Sequence, residues 1–359
     1  VKVAVASFEK IKRSEDQEEA WKKFIKWVNT EQTQEFRLGG LAGTGKTTLI
    51  KSMRDQMGSC EVITPTAKAA DVLNKKGVPA KTSHSLLCNF EHETTDDKGR
   101  VVPVFSDKRI KRDFLIVDEA SMITSEMRSK ILRCANRVVW VGDYGQLPPV
   151  EFNGSGQCVV DENLLDAKLT MQHRHSGALK IAEFANYLRD GKDPKKWDKN
   201  SEQVCVDPDG VEGTYIVEFC VYNNLWPVIC YTNSFIQSFN SLVRRVNGIS
   251  SGFGKGLKIV CCRNNFIHGI CNGEMFTVDS VSGNRIKTEC GKSFPASFSS
   301  KDRSSVYVQD GYAVTCHKAQ GSEWPKIAVI EDIPASPKWR YTAATRAQSF
   351  VCYFTNDES

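Results

Sequence analysis

The sequence has no run of about 18 apolar residues, the length a membrane-crossing helix needs. Its opening, VKVAVASFEKIKRSEDQEE, is too short in its apolar part for a secretion signal. It also lacks an initiator Met, the mark of a trimmed or tagged chain. No repeat of fixed period occurs. Among 13 cysteines there is no C-x-x-C, and many stand in apolar runs such as VICYT and FVCYF. That fits reduced, buried thiols of a cytoplasmic protein better than a disulfide framework. Cys261, Cys262, His268, Cys271 and Cys290 cluster in sequence, but their spacing matches no common zinc finger. Free thiols packed in a small barrel are the simpler reading, and a zinc site is the alternative.

What is present fits a soluble globular chain. Its 359 residues are enough for two domains and a small third. Apolar residues make up 40% and charged residues 25%. The net charge of +5, from 48 basic and 43 acidic residues, permits a polyanionic partner without demanding one.

The first 150 residues alternate strand and helix. Apolar runs at 35–38, 60–64, 114–117 and 138–141 read as buried strands, with helices at about 46–57, 66–76 and 124–135. This is the βαβ pattern of a parallel sheet. Residues 90–105, FEHETTDDKGRVVPVF, interrupt it with two extended runs around Asp-Asp-Lys-Gly, and predict an inserted β-hairpin. A second α/β pattern follows residue 152, with a helix at 177–190, a strand at 228–232 and a helix at 234–246. Strands at 312–316, 327–330 and 350–354 complete it. Between them, short alternating runs rich in Gly, Ser and Asn predict a small antiparallel barrel. The predicted boundaries are 1–151 for the first domain, 152–250 with 310–359 for the second, and 251–309 for the barrel. Residues 255–303 carry eight Lys/Arg against four Asp/Glu, either a solvated basic face or a nucleic-acid surface.

Gly40-x4-Gly45-Lys46-Thr47 fits the P-loop pattern between a strand and a helix. Gly40, Gly43, Thr44, Gly45 and Thr48 belong to this loop, whose backbone N–H groups close around phosphate at a helix N-terminus. Lys46 reaches the β- and γ-phosphates of ATP, and Thr47 ligates Mg²⁺. FLIVDEAS (114–121) ends an apolar strand in two carboxylates. Asp118 would hold the magnesium, and Glu119 would polarise the attacking water. In VGDYGQLPPV (141–150), Gln146 is suited to sense the γ-phosphate, since an amide both donates and accepts. The guanine-reading N-K-x-D of a GTPase is absent.

Together these motifs resemble superfamily 1 helicases. TPTAKAA (64–70), KTSHSLL (81–87), MQHR (171–174), YTN (231–233), NGEMFTV (272–278), VTCHKAQGSEW (314–324) and YTAATRAQ (341–348) are similar to the family's remaining motifs, in order and over nearly the whole chain. Pro65 stands where the RecD/Dda branch, superfamily 1B, has proline and the other main branch usually has an aromatic. The resemblance is to the compact Dda-like type that bacteriophages encode. It implies two RecA-like domains, the second carrying an SH3-like barrel and lacking a P-loop of its own. It implies a monomeric, cytoplasmic, ATP-dependent DNA helicase moving 5′ to 3′ on single-stranded DNA and opening forked duplex in replication, recombination or repair. A single-strand-binding protein or replisome component is an implied partner, and no membrane is.

The resemblance also assigns residues. Arg346 and Arg174 act on the transferred phosphate, Gln17 reads adenine, and Glu323 touches the ribose. His173 precedes Arg174 where relatives often stack an aromatic on the base. Thr66, His84, Thr232, Asn233, Asn272, Thr315 and His317 fall in motifs that touch DNA. Phe90, His92 and Phe105 of the hairpin are candidates for a strand-separating wedge, a plain surface hairpin being the alternative. Two other functions fit the same motifs: an RNA helicase of the superfamily, because nothing in the sequence reports on the 2′-hydroxyl, and an ATP-driven translocase that remodels protein on DNA without separating strands.

Overall fold

The computed structural model describes residues 13–30, 33–95, 101–149, 158–172, 179–207, 211, 213, 215–249, 251–265, 267–302 and 304–355. The chain divides into two compact units, Val1–Arg174 and His175–Ser359. Among the described residues, no helix is long and apolar enough to cross a membrane.

The first unit runs α1 (Glu15–Thr30), β1 (Glu35–Gly40), α2 (Lys46–Met57), β2 (Cys60–Thr64), α3 (Ala67–Lys75), β3 (Ala80–Thr82) and α4 (Ser83–Leu87). It continues with β4 (Cys88–Thr95), β5 (Val101–Asp107), β6 (Arg112–Val117), α5 (Ser125–Cys134), β7 (Ala135–Gly142) and β8 (Ala167–Leu169). The strands form a parallel sheet in the order β3-β2-β6-β7-β1-β8. Side chains alternate across a strand, so the FLIV and VVWV runs supply both faces. Ile116, Val139 and Val141 join Phe36 and Leu38 under α1 and α2, through Phe24, Trp27, Leu49 and Met53. Leu115, Val117, Val138 and Trp140 face the other way, onto Leu86 and Leu87 of α4 and Ile131 of α5. In α1 the buried Ala20, Phe24, Trp27 and Val28 recur at helical spacing, and Glu15, Asp16 and Glu18 suit the positive end of its dipole.

The sequence pattern ends the first domain at residue 151. Strand β8, which pairs with β1 from Leu38↔Ala167 to Gly40↔Leu169, carries the first unit on to Arg174. At three residues, β8 is too short for periodicity to reveal. The hairpin β4–β5 is longer than residues 90–105 suggest, with pairing from Cys88↔Asp107 to Thr95↔Val101 and a register shift between Phe90 and His92.

The second unit runs α6 (Leu179–Arg189), β9 (Val204–Val206), α7 (Tyr215–Tyr222), β10 (Val228–Cys230), α8 (Asn233–Val246), β11 (Lys258–Cys261), β12 (Met275–Ser282), β13 (Arg285–Thr288) and β14 (Ser293–Ser297). Then follow β15 (Val306–Asp310), β16 (Ala313–Thr315), α9 (Cys316–Ala319), β17 (Trp324–Ile330), α10 (Pro337–Ala344) and β18 (Ala347–Phe354). A parallel sheet takes the order β16-β10-β17-β18-β9, and β11 to β15 close into a barrel. The barrel's exit is tied to α8: Asn240 donates to the Asp310 carbonyl at 3.0 Å and accepts from the Ala313 N–H at 2.7 Å. Arg244 pairs with the Asp310 carboxylate at 2.5 Å. Cys261 lies buried in the barrel core, while Cys262 and Cys271 are half-buried and Cys290 is exposed. Among the described residues, no group of three His, Cys, Asp or Glu is placed to hold a metal.

Just past β17, the buried Glu331 carboxylate gathers α10 and β18. Arg340 donates to it at 2.6 Å, the Tyr353 hydroxyl at 2.6 Å and the Ala335 N–H at 2.8 Å. Hydrogen bonds to buried charge are among the stronger ones. Tyr353→Phe is expected to destabilise the second unit by about 2 kcal/mol, read as a lower urea midpoint at unchanged m.

Candidate nucleotide site and nucleic-acid edge

Three loops leave neighbouring strands at the carboxyl edge of the first sheet, where parallel α/β folds bind ligands. The glycine loop follows β1, the Asp118–Glu119 pair follows β6, and the Gln146 loop follows β7, which lies between those two strands. The sequence order of the motifs therefore becomes a spatial cluster.

The glycine loop turns into α2 through Gly43 and Gly45, with φ of 79° and 80°, a left-handed conformation that favours glycine. At Gly40 a Cβ would come 2.6 Å from Thr44 Oγ1 and 3.1 Å from the Leu169 Cβ, so only glycine fits under the loop. Lys46 bends back over it, Nζ donating to the carbonyls of Gly40 at 2.8 Å and Leu41 at 3.0 Å. With carbonyls as its partners, the ammonium is available to an anionic ligand. Thr44 is buried and Thr47 and Thr48 keep surface exposure at the start of α2.

Burial, and next the adjacent Glu119 carboxylate, push the Asp118 carboxyl up to about 7. Two adjacent acids, one of them buried within the field of Lys46, form a site that a divalent cation would relieve, so the residues fit magnesium. Glu119 has φ of 52°, left-handed backbone for a non-glycine residue. That costs on the order of 1–2 kcal/mol and turns the backbone out of the path of the strand. Gln146 is buried; its Nε2 donates weakly to Asp143 at 3.4 Å, while its Oε1 has no partner. A buried acceptor left unpaired is costly, and a hydrogen-bond donor arriving with a ligand would satisfy it.

Gln17 is buried at the start of α1. Its Nε2 donates to the Thr44 carbonyl at 3.1 Å and its Oε1 accepts the Ser14 N–H at 3.2 Å, so it holds the glycine loop directly. Each amide end keeps further hydrogen-bonding capacity. His173 and Arg174 lie outside the described residues. In the second unit Arg346 is buried, donating to the carbonyls of Thr342 at 3.0 Å and Ser322 at 3.2 Å and to the Thr345 hydroxyl at 3.0 Å. Glu323 is exposed and accepts from Gln348 at 3.4 Å.

Three of the seven expected nucleic-acid residues share one local geometry. Thr66, Thr232 and Thr315 are the N-caps of α3, α8 and α9, each hydroxyl accepting a backbone N–H of the first turn. Each helix starts at the carboxyl end of a parallel strand, and such helix ends favour phosphate. Asn233, Asn272, His84 and His317 are exposed beside these starts or on the barrel. Partial burial, with the nearby Lys130, lowers the His84 pKa, and partial burial alone lowers that of His317. Both shifts favour the neutral ring, which suits hydrogen bonding more than charge pairing. On the hairpin, Phe105 meets His84 at 5.4 Å and Phe90 at 6.0 Å between ring centroids, and His92 is exposed.

Residues 12–207, more than half of the chain, match a family model described as an AAA domain. The chain belongs to this family. Its branch is the RecD/Dda-like superfamily 1B. Residues 310–351 match the UvrD-like helicase C-terminal domain. An ATP-dependent RecD2 DNA helicase from Deinococcus radiodurans is 28% identical over 340 residues, covering 87% of this chain and 45% of that protein. The ATP-dependent DNA helicase dda of Enterobacteria phage T4 is 27% identical over 263 residues, 65% of this chain and 56% of that one. The chain thus spans about half the length of these relatives. A Bacteroides Pif1 helicase solved with ADP-AlF3 and ssDNA shares the fold, with a TM-score of 0.60 at 18% identity, over 96% of this chain and 92% of that one.

Within this AAA domain, sequence reasoning passed over one supporting residue. Asp16 accepts from the Thr170 and Met171 N–H groups at 2.8 and 2.7 Å, from the Gln17 N–H at 2.8 Å and from the Ser14 hydroxyl at 2.5 Å. Gln172 next donates to the Ala42 carbonyl at 3.4 Å. The start of α1, the end of β8 and the glycine loop are thereby fastened together. An acid in the first turn of a helix signals only a favourable dipole; its capture of two N–H groups some 150 residues away is set by the sheet.

Proposed function

We propose that the protein is an ATP-dependent DNA helicase that moves 5′ to 3′ on single-stranded DNA and opens forked duplex, acting as a monomer. The observation that carries this is the convergence of the glycine loop, the Asp118–Glu119 pair and the unpartnered Oε1 of Gln146 on one sheet edge. The loop N–H groups and Lys46 bind the ATP phosphates, and Gln17 is assigned to reading the base. Thr47 and Asp118 would hold magnesium, which supplies charge neutralisation on the phosphates. Glu119 accepts the proton of the attacking water and Gln146 orients that water. Arg346 and Arg174 are assigned to the transferred phosphate. For Arg346 this asks that donors now on its own unit's carbonyls be shared or released, and Glu323 is assigned to the ribose.

The capped starts of α3, α8 and α9 supply backbone donors for a phosphate track, with His84, Asn233, Asn272 and His317 beside them. The barrel is read as SH3-like and β4–β5 as the wedge. A single-strand-binding protein or replisome component is the proposed partner class. Thirteen cysteines with no disulfide among the described residues fit a reducing compartment, the cytoplasm.

The test compares ATP turnover with no nucleic acid, with oligothymidylate and with oligouridylate, and then follows 5′- and 3′-tailed forks. Turnover stimulated at least tenfold by DNA and opening of the 5′-tailed fork alone are expected. Equal stimulation by RNA would move the substrate class, and stimulation without fork opening would leave a translocase.

A further inference from the structure

We propose that Tyr231 is a base-stacking residue, a platform for one nucleobase of the bound single strand. The inference rests on the single-strand-translocating function above. Tyr231 follows β10 directly and its side chain is 41% exposed. The buried Trp339 stands against it, with ring centroids 5.4 Å apart and planes inclined by 30°. An exposed aromatic braced by a larger buried one has a defined orientation before any ligand arrives.

Its backbone is equally fixed. The Tyr231 N–H donates to Asp332 Oδ1 at 2.6 Å and the Thr232 N–H to Oδ2 at 3.0 Å, and the Thr232 hydroxyl donates to the same Oδ2. Thr232 then caps α8 through the Phe235 N–H at 3.2 Å. The Asp332 clamp is also why β10 stops at Cys230, although the apolar and β-branched run extends to Thr232: the two N–H groups that would continue the ladder are taken by a carboxylate.

The placement makes the ring useful. In the sheet register Cys230 pairs with Thr315 on one side and Ile330 on the other. Tyr231 therefore stands one residue beyond the line that starts α9, next to the exposed His317 turn. In the function proposed above the capped start of the 14-residue α8 takes a phosphate, so a strand held there has its bases within reach of the ring. Single strands are held by this pairing of phosphate contacts with sequence-tolerant stacking.

Stacking and simple packing on Trp339 are separated by shape and aromaticity. Binding of fluorescent oligothymidylate would be measured over a salt series for Tyr231→Phe, Tyr231→Trp, Tyr231→Leu and Tyr231→Ala. Stacking predicts that Phe and Trp stay within about twofold of the parent, while Leu and Ala weaken binding roughly 5- to 100-fold. The slope of log affinity against log salt stays unchanged, because no phosphate contact is lost. DNA-independent ATP turnover and thermal melting also stay unchanged for Leu. Retained affinity in the Leu variant, which preserves apolar packing, overturns the proposal. So does a loss shared by Leu and Trp with lowered melting. Failure of the parent protein to bind single strands would instead remove the function on which the proposal stands.

Discussion

Glu119→Gln is expected to abolish ATP turnover by a factor on the order of 10²–10⁵ while leaving ATP and single-strand binding intact. The amide is nearly isosteric with the carboxylate and keeps the left-handed turn at φ of 52°, but it cannot accept the proton of the attacking water. It also removes the like charge that, after burial, pushes Asp118 up, so magnesium-dependent binding of a fluorescent ATP analogue should persist. Lys46→Ala is expected to lose turnover to a similar extent and to weaken nucleotide binding as well, because its ammonium bends over the loop that cradles the phosphates. Single-turnover hydrolysis alongside equilibrium binding separates the two. Near-normal DNA-stimulated turnover in Glu119→Gln would falsify the assignment of the base.

The second large effect concerns the hairpin. A two-stranded ribbon is marginal alone and needs bracing. Its base has that bracing: Asp107 pairs with Lys130 at 3.1 Å and Arg133 at 3.5 Å, the Lys108 N–H donates to the Leu87 carbonyl at 2.7 Å, and Phe105 packs between Phe90 and His84. Replacing residues 93–102 with a short Gly-Ser turn leaves every one of these contacts in place. ATP turnover on single-stranded DNA should stay within about twofold, since insertions in α/β loops are tolerated. Opening of a fork should fall at least tenfold at equal protein concentration. Unwinding that survives the replacement would return β4–β5 to a surface hairpin.

Several features were legible in the sequence because they depend on local physics. Glycine spacing at 40, 43 and 45 is dictated by backbone conformation and close approach, so the phosphate loop announced itself. The FLIV and VVWV runs had to be buried on both faces, which only a parallel sheet between helices provides. The turn chemistry near Gly99 gave the hairpin, and the chain's alternation gave two α/β units. Length and pairing partner are not local properties, and there the sequence was silent. Strand β8, three residues long, exists because β1 offers it an edge. The roles of Thr66, Thr232 and Thr315 as helix caps follow from where strands stop, and β10 stops where Asp332, 101 residues from Tyr231, takes its N–H. Arg346 appears in sequence as a free cation in a recognisable motif. In the fold it is buried and bonded to three groups of its own unit, because an enclosed guanidinium must satisfy its donors with whatever carbonyls the packing supplies. The sequence by itself thus determined which chemistry the chain carries. Tertiary structure decided which side chains are held, by what, and how much of each remains available to a ligand, since hydrogen-bond partners distant in the chain are chosen only when the sheets assemble.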